Sequence, residues 1–374
     1  MNLSTERLVD TVSCSRSIVK SIIDPWLLNQ NYYHGYLSKE DLPSLLFIHG
    51  DFLVRCTEGG KQKAREIIVS VMHDPEGKSK AADYDGRMEA TTQDNDQTYY
   101  YFDSNTKFPS VEGLLLHHTE KPILVNEVEV LLKRGVRLAK WEYPTTAVQV
   151  GKLTGTGSFG EIRKGKLTRR DGQVVDVSVR MMKGRSEICK QQSRELVRQA
   201  RLLRDLCHPN VLRFYGVCLL ELPIFVLNEL VSGGALDAYL LENKSTVDKD
   251  EKMQMMASAG WGIAFLHSNE ILLRDIAAKN CLYTTNKMVL IYEIFACGEP
   301  YSKLTTTAAK EAIMAGELNP FPKDVPSQLT DYVKKKMWDM DPDKRATMEQ
   351  VVKWVEGFTG LTLRIQKTIV VPQK

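Results

Sequence analysis

The seven cysteines of this 374-residue chain stand at positions 14, 56, 189, 207, 218, 281 and 297, with no C-x-x-C pair among them. An odd, dispersed set excludes a zinc knuckle and a disulfide framework, and it points to a reducing compartment. No apolar run approaches the roughly 20 residues that a membrane-spanning helix needs. Met1-Asn2-Leu3 opens no secretory hydrophobic core, and Asn2 stands where N-myristoylation needs a glycine. A formal net charge of +3 is too small to argue for a nucleic-acid partner or a strongly basic membrane face. No internal repeat or low-complexity tract is present. These absences lead to the expectation of a cytoplasmic protein with no transmembrane segment and no nucleic-acid partner.

What is present is ordinary for a globular chain: 43% hydrophobic and 26% charged residues. The length predicts two or three domains. Within residues 1–30, Ile18, Val19, Ile22, Ile23 and Trp26 fall on one helix face, and Pro25 is expected to end or bend that helix. Residues 31–124 alternate strand-like runs with turns. Asp51–Arg55 and Glu66–Met72 are the strongest strands, joined by a hairpin at Gly59-Gly60-Lys61. Residues 74–97 are polar, carry Pro75, Gly77 and Gly86, and read as a long surface loop with at most a weak strand. Val111–His118 reads as helical, and residues 125–146 as a connector. From 147 onward strands run to about 230, followed mainly by helices up to 358 and a tail over 359–374.

Arg55 lies inside the apolar, alternating run Phe52-Leu53-Val54-Arg55-Cys56-Thr57. A buried arginine is costly unless it meets an anion, and its planar guanidinium holds two phosphate oxygens at once. Thr57, two residues on, points to the same face and offers a hydroxyl. Residues 31–124 resemble a Src-homology-2 (SH2) domain, through Tyr33-His34-Gly35-Tyr36-Leu37 and Phe52-Leu53-Val54-Arg55. The resemblance implies that Arg55 is the floor of a phosphotyrosine pocket, flanked by Thr57 and by Lys39, which stands where the family usually has arginine. It implies tyrosine-phosphorylated proteins as partners, and peripheral membrane association only through them.

Val148–Ile162 reads as a strand, a glycine-rich turn at Gly155, Gly157 and Gly160, and a second strand carrying Ile162. Glycines let backbone N–H groups approach phosphate oxygens, and a strand rather than a helix after the last glycine favours the protein-kinase version of this motif. Val177-Ser178-Val179-Arg180, Leu196–Leu203, His208-Pro209-Asn210, Asn228-Glu229-Leu230-Val231, Leu273–Asn280 and Trp338–Arg345 then follow in order. Residues 147–358 resemble a non-receptor protein tyrosine kinase, most like the Fes/Fer group. The resemblance implies ATP and Mg²⁺ as cofactors. It places Gly155, Gly157, Gly160, Ile162, Arg180, Glu229 and Val231 at the nucleotide, Asp275 as general base and Asn280 as a Mg²⁺ ligand. The fold class expected is α+β: a small antiparallel-sheet SH2 domain flanked by helices, then a bilobal kinase-like domain.

The kinase pattern breaks in several places. Arg180 replaces the strand lysine, Gln199 replaces the glutamate that would pair with it, and Leu273 replaces histidine. Glu195 lies one turn before Gln199 and is the alternative partner for Arg180; Lys183 faces the other side of the strand. The Asp-Phe-Gly and Ala-Pro-Glu elements are missing between Asn280 and Glu293, a loss on the order of 50 residues against the usual set of motifs. Arg274 and Arg345 thereby lose the partners that the resemblance implies, and the C-terminal lobe is expected to be incomplete, loosened or repacked. The expected function is phosphotyrosine binding in signalling with a kinase domain inactive as written; the alternative is an active ATP-dependent protein tyrosine kinase.

Overall fold

The computed structural model describes residues 25–57, 66–73, 82–92, 98–103, 105–125, 128–157, 160–181, 187–273, 276–282, 291–339 and 341–363. The helix read before residue 25, the turn at Gly59–Lys61, Lys183, Arg274 and Asp275 lie outside the described residues, as does the Thr57 side chain. The chain divides into two units: Met1–Ala200 with Gly216–Leu227, and Arg201–Tyr215 with Asn228–Lys374.

Period-two alternation builds the first sheet of the first unit. Strands β1 (Asp51–Thr57) and β2 (Glu66–His73) pair antiparallel, with Phe52 opposite Val71 and Arg55 opposite Ile68. β3 (Ala82–Thr92), β4 (Thr98–Tyr101) and β7 (Arg134–Gly135) complete the order β4-β3-β2-β1-β7. Phe52, Val54, Ile67, Val69 and Val71 point to one face and enter a core with helix α1 (Pro25–Leu28) and helix α2 (Val111–Glu120). Ser110 caps α2, its hydroxyl oxygen accepting from the Gly113 N–H at 3.1 Å. Leu53, Arg55, Ile68 and Ser70 share the opposite face by the same alternation.

Two sequence expectations change here. Residues 82–92, read as part of a loop, form β3, an eleven-residue strand with Gly86 opposite Val69. Its composition is polar, so alternation could not reveal it; the hydrogen-bonding edge of β2 supplies the order. The connector 125–146 carries β6 (Val128–Val130), paired with β5 (Ile123–Val125), and β7, which extends the first sheet beside β1.

A second sheet has the order β11-β12-β10-β9-β8, from β8 (Val148–Gly157), β9 (Gly160–Thr168), β10 (Val174–Met181), β11 (Phe214–Cys218) and β12 (Phe225–Glu229). Helix α3 (Glu187–Leu203) follows β10. The connector binds this sheet to the first module. Trp141 O accepts from Val217 N and Val217 O accepts from Tyr143 N, both at 2.8 Å. Gly35, at φ +58°, presses its α-carbon against the Leu219 carbonyl, where any Cβ would overlap, while Tyr36 N donates to Leu219 O at 2.8 Å.

The second unit is helical. Helix α4 (Leu236–Glu242), helix α5 (Lys249–Ser268), helix α6 (Ile291–Ala296), helix α7 (Thr306–Met314), helix α8 (Ser327–Tyr332) and helix α9 (Met348–Thr359) are its α-helices among the described residues. Its core joins Met255, Met256, Ile294, Phe295, Leu329, Val333, Val351 and Val355. α9 is bounded at both ends by local chemistry. A reciprocal capping box links Thr347 and Gln350 at its start, and Gly360 at φ +70° closes it. Between α8 and α9 the chain winds one π-turn, Val333–Met337. Arg345 is exposed and its Nε donates to Asp339 O at 2.7 Å. The expected cost of a buried, stranded arginine is therefore absent, because solvent and a backbone carbonyl take the place of the lost partner. No helix among the described residues is long and apolar enough to cross a membrane.

Candidate functional site

In the first unit the site is built around Arg55. β1 is covered on both faces, so the side chain is only 3% exposed despite its charge. Its Nε donates to Ser70 Oγ at 2.8 Å, from the neighbouring strand, and Ser70 is itself fully buried. This bond fixes the plane of the guanidinium, which is what bidentate recognition of an anion requires. The segment Tyr32–Gly35 runs parallel along the outer edge of β1: Tyr32 O accepts from Val54 N and Gly35 O from Cys56 N. The chain thus enters the short 3₁₀ helix Lys39–Ser44 from the Arg55–Thr57 end of the strand, with Lys39 exposed at the helix start. Sequence reasoning found Arg55 and Lys39 but not Ser70, whose hydroxyl reads as an ordinary strand residue.

His34 and Glu142 form a second buried polar centre in the same unit. His34 Nδ1 lies 3.0 and 2.9 Å from Glu142 Oε1 and Oε2, and Nε2 lies 3.0 Å from Val136 O. Ala139 N donates to Glu142 Oε2 at 2.9 Å. The two side chains are 0% and 3% exposed. Nothing in the residue pattern marks this pairing, since the two residues are 108 positions apart. Asp51, at the start of β1, accepts both Nε and Nη2 of Arg134 at 2.7 Å. Burial works against its charge, but Arg134 and the N–H groups of Phe47 and Ile48 prevail and hold the carboxyl below its usual range.

The glycine-rich turn is closed by Gly155 opposite Ile162 and Gly157 opposite Gly160, the last at φ +90°. A side chain on Gly155 would meet nothing within 4 Å, so this backbone is open. Arg180 stands opposite Ile162 on β10, half-buried. Burial alone pushes its guanidinium pKa down, and no hydrogen bond or ion pair reaches it among the described residues. Glu195, the alternative partner, is engaged elsewhere. Arg198 grips both its oxygens at 2.7 Å, Gln199 Nε2 donates to it at 3.0 Å, and its pKa falls to about 2, chiefly through Arg198. Among the described residues Glu195 thus pairs with a cation on its own helix rather than with Arg180.

In the second unit, Glu229 N–H donates to Arg213 O at 2.9 Å and Glu229 Oε1 accepts from Arg213 N at 3.1 Å. Val231 is partly buried just beyond. Asn280 is exposed and ends a 3₁₀ turn, Ala278–Asn280. That turn is held by Glu293 on α6, whose Oε2 accepts from Ala278 N at 2.9 Å. Burial, with Glu299 and Asp237 nearby, raises the Glu293 pKa against the Ala278 hydrogen bond and Lys279. Sequence reasoning treated Glu293 as a landmark only. No group of three or more metal-type ligands occurs among the described residues.

The chain matches the family described as protein tyrosine and serine/threonine kinase over residues 148–292 and 288–355, two segments that meet near the Asn280–Glu293 junction. It is 29% identical over 287 residues to the spermatocyte protein spe-8 of Caenorhabditis briggsae, covering 76% of this chain and 52% of that protein. It is 25% identical over 394 residues to the tyrosine-protein kinase Fer of Homo sapiens, covering 91% of this chain and 45% of Fer. With Fer-related kinase 1 of Caenorhabditis elegans it is 25% identical over 399 residues, covering 93% of this chain and 98% of that protein. The chain thus spans about half the length of spe-8 and of Fer. A match over more than half of its residues, carried by the glycine-turn sheet and the helical unit, settles its kinship: the chain belongs to the protein tyrosine and serine/threonine kinase family.

Proposed function

We propose that this chain reads phosphotyrosine through an SH2 domain and carries a kinase-like region that does not transfer phosphate. The observation that supports the reader is Arg55, a 3%-exposed arginine on a Phe-Leu-Val-Arg strand with its Nε held by Ser70. A buried guanidinium held in one plane is suited to a dianionic phosphate. Isothermal titration with a tyrosine-phosphorylated peptide tests this. Arg55→Ala is expected to cost about 2–5 kcal/mol of binding, because phosphate charge is left unpaired. Equal affinity of wild type and variant, or of phosphorylated and plain peptide, overturns the reading.

The inactive reading of the kinase half rests on Arg180. The family uses ATP and Mg²⁺ generally, and its motif needs a lysine–glutamate pair beside the phosphates. Here the strand cation is an arginine without an acidic partner among the described residues, and Glu195 is committed to Arg198. These residues do not fit that pair, and no catalytic step is derived through the nucleotide or the metal. The alignment with Fer-related kinase 1 runs over 399 positions, more than the 374 residues of this chain, which supports a missing internal segment. Thermal shift with ATP, with and without Mg²⁺, separates this from the active-kinase reading. A Mg²⁺-dependent rise followed by phosphorylation of poly-Glu-Tyr would establish the latter.

A further inference from the structure

A groove of about 710 Å³ runs between α9 and the α8–π-turn segment of the second unit. Its apolar wall is a ladder of three rings. Tyr332 stacks on Trp354 with centroids 4.0 Å apart and planes 8° apart, and Trp354 stacks on Phe358 at 4.9 Å and 11°. All three rings are partly exposed, so the ladder presents edges and one face rather than a closed core. Lys335 and Lys336, on the π-turn Val333–Met337, and Lys353, on α9, line the groove and are exposed. Asp331 is the acid lining it, and Lys335 meets that at 3.5 Å. The lining therefore carries a net positive charge beside an aromatic floor. π-turns are rare insertions in helices and concentrate at functional sites.

Gly357 supplies an independent observation. It lies inside α9, where glycine is a poor helix former, and a side chain there would meet nothing within 4 Å. Packing within the chain does not call for glycine at this place. Without a side chain there, the backbone is open to close approach by another molecule.

We propose that this groove docks an acidic peptide segment of a partner protein, with one aromatic or large aliphatic side chain laid over Gly357 against Trp354 and Phe358. Charge complementarity sets the sign of the partner. The groove follows α8 and the π-turn from Gln328 to Lys336, about 12 Å at the helical rise, which holds about four extended residues. Its volume is in the range of specific binding clefts. The rings line an open groove and are only partly exposed, which favours a peptide over a lipid surface. The chain's formal charge of +3 is too small to favour a nucleic acid. This site is separate from Arg55 and does not depend on the phosphotyrosine reading.

The test uses the full chain and a fluorescein-labelled Glu-Asp-Glu-Phe-Glu-Asp-Glu-Leu peptide, followed by anisotropy and by Trp fluorescence. Micromolar binding is expected, with at least tenfold weakening in K336E/K353E and loss of binding in G357L, whose side chain fills the groove. R55A is expected to bind this peptide unchanged. Circular dichroism of G357L checks folding, and the exposed lysine variants carry the test if G357L does not fold. Parallel arms use a uridine 12-mer and phosphatidylserine vesicles. Failure to bind the acidic peptide below millimolar concentration, equal binding by K336E/K353E, or tighter binding of the oligonucleotide or vesicles would overturn the proposal.

Discussion

Replacing Glu142 with alanine should separate the first module from the glycine-turn sheet more effectively than any surface change. Glu142 follows Trp141, whose carbonyl accepts from Val217, and its own carboxylate receives His34 Nδ1 and Ala139 N–H at 2.9–3.0 Å. Both side chains are essentially excluded from water. Removing the carboxylate leaves a buried imidazole nitrogen and a backbone N–H with no acceptor. Breaking a buried polar pair from one side costs about 3–5 kcal/mol, against a typical stability of about 5–15 kcal/mol for a whole domain. For a unit of this size that corresponds to roughly 6–20 °C in melting temperature. Urea denaturation of the full chain, followed by near-ultraviolet circular dichroism, measures it. The double variant His34→Phe/Glu142→Leu is the control: with both polar groups gone, much of the loss should be recovered, and the coupling from the four-protein cycle should exceed about 1 kcal/mol. A Glu142→Ala loss below about 1 kcal/mol, or a double variant as unstable as the sum of the singles, would refute this account of the junction.

The remaining predictions concern three other sites. Glu293→Ala should destabilise the second unit by about 1–3 kcal/mol, since Ala278 N–H loses its acceptor, while Glu293→Gln keeps the hydrogen bond. Because the Glu293 pKa is raised by burial, its contribution should favour folding most at acid pH and weaken as pH rises through the folded value; stability against pH for Glu293→Gln should lack that fall. Asp51 is opposite in sign: its carboxyl lies low, so its stabilisation is present above the ordinary carboxylate range and is lost on acidification, and Asp51→Asn should flatten the acid limb of a melting-temperature profile. Restoring the strand cation and its partner together, as Arg180→Lys/Gln199→Glu, should not produce turnover on poly-Glu-Tyr, because the Asp-Phe-Gly aspartate is still missing; measurable phosphorylation by that variant would defeat the inactive reading.

Much of the site was legible where its chemistry is local. Arg55 betrays itself by standing in an apolar alternating strand, and the glycine turn by the strand that follows it. What was not legible depends on pairings between distant segments. Ser70 becomes a positioning group only because β2 brings it beside Arg55, and Glu142 only because the connector passes His34. β3 was hidden for a related reason: a strand ordered by its neighbour's hydrogen-bonding edge needs no apolar pattern of its own. The π-turn over Val333–Met337 carries three consecutive lysines, and no residue pattern marks it. Glu293 looked like a marker of a lost helix, yet the carboxylate it retains holds the turn that ends at Asn280.

Arg55 and Arg180, on strands β1 and β10 of the first unit, make the physical case for dividing the chain's roles. Both lie in apolar strands and both are largely withdrawn from water. Arg55 has a neutral hydroxyl fixed against its Nε, a partner that orients the guanidinium without neutralising it. A guanidinium oriented in this way is suited to an incoming anion. Arg180 has neither an orienting hydroxyl nor an acid among the described residues, and burial works against its charge uncompensated. The helix that would have supplied the acid offers Gln199, and its nearest carboxylate, Glu195, is held by Arg198. A cation with no orienting partner among the described residues is poorly placed to hold a phosphate through a reaction, because electrostatic catalysis depends on groups fixed in advance. The same residue type therefore supports binding in one module and argues against turnover in the other.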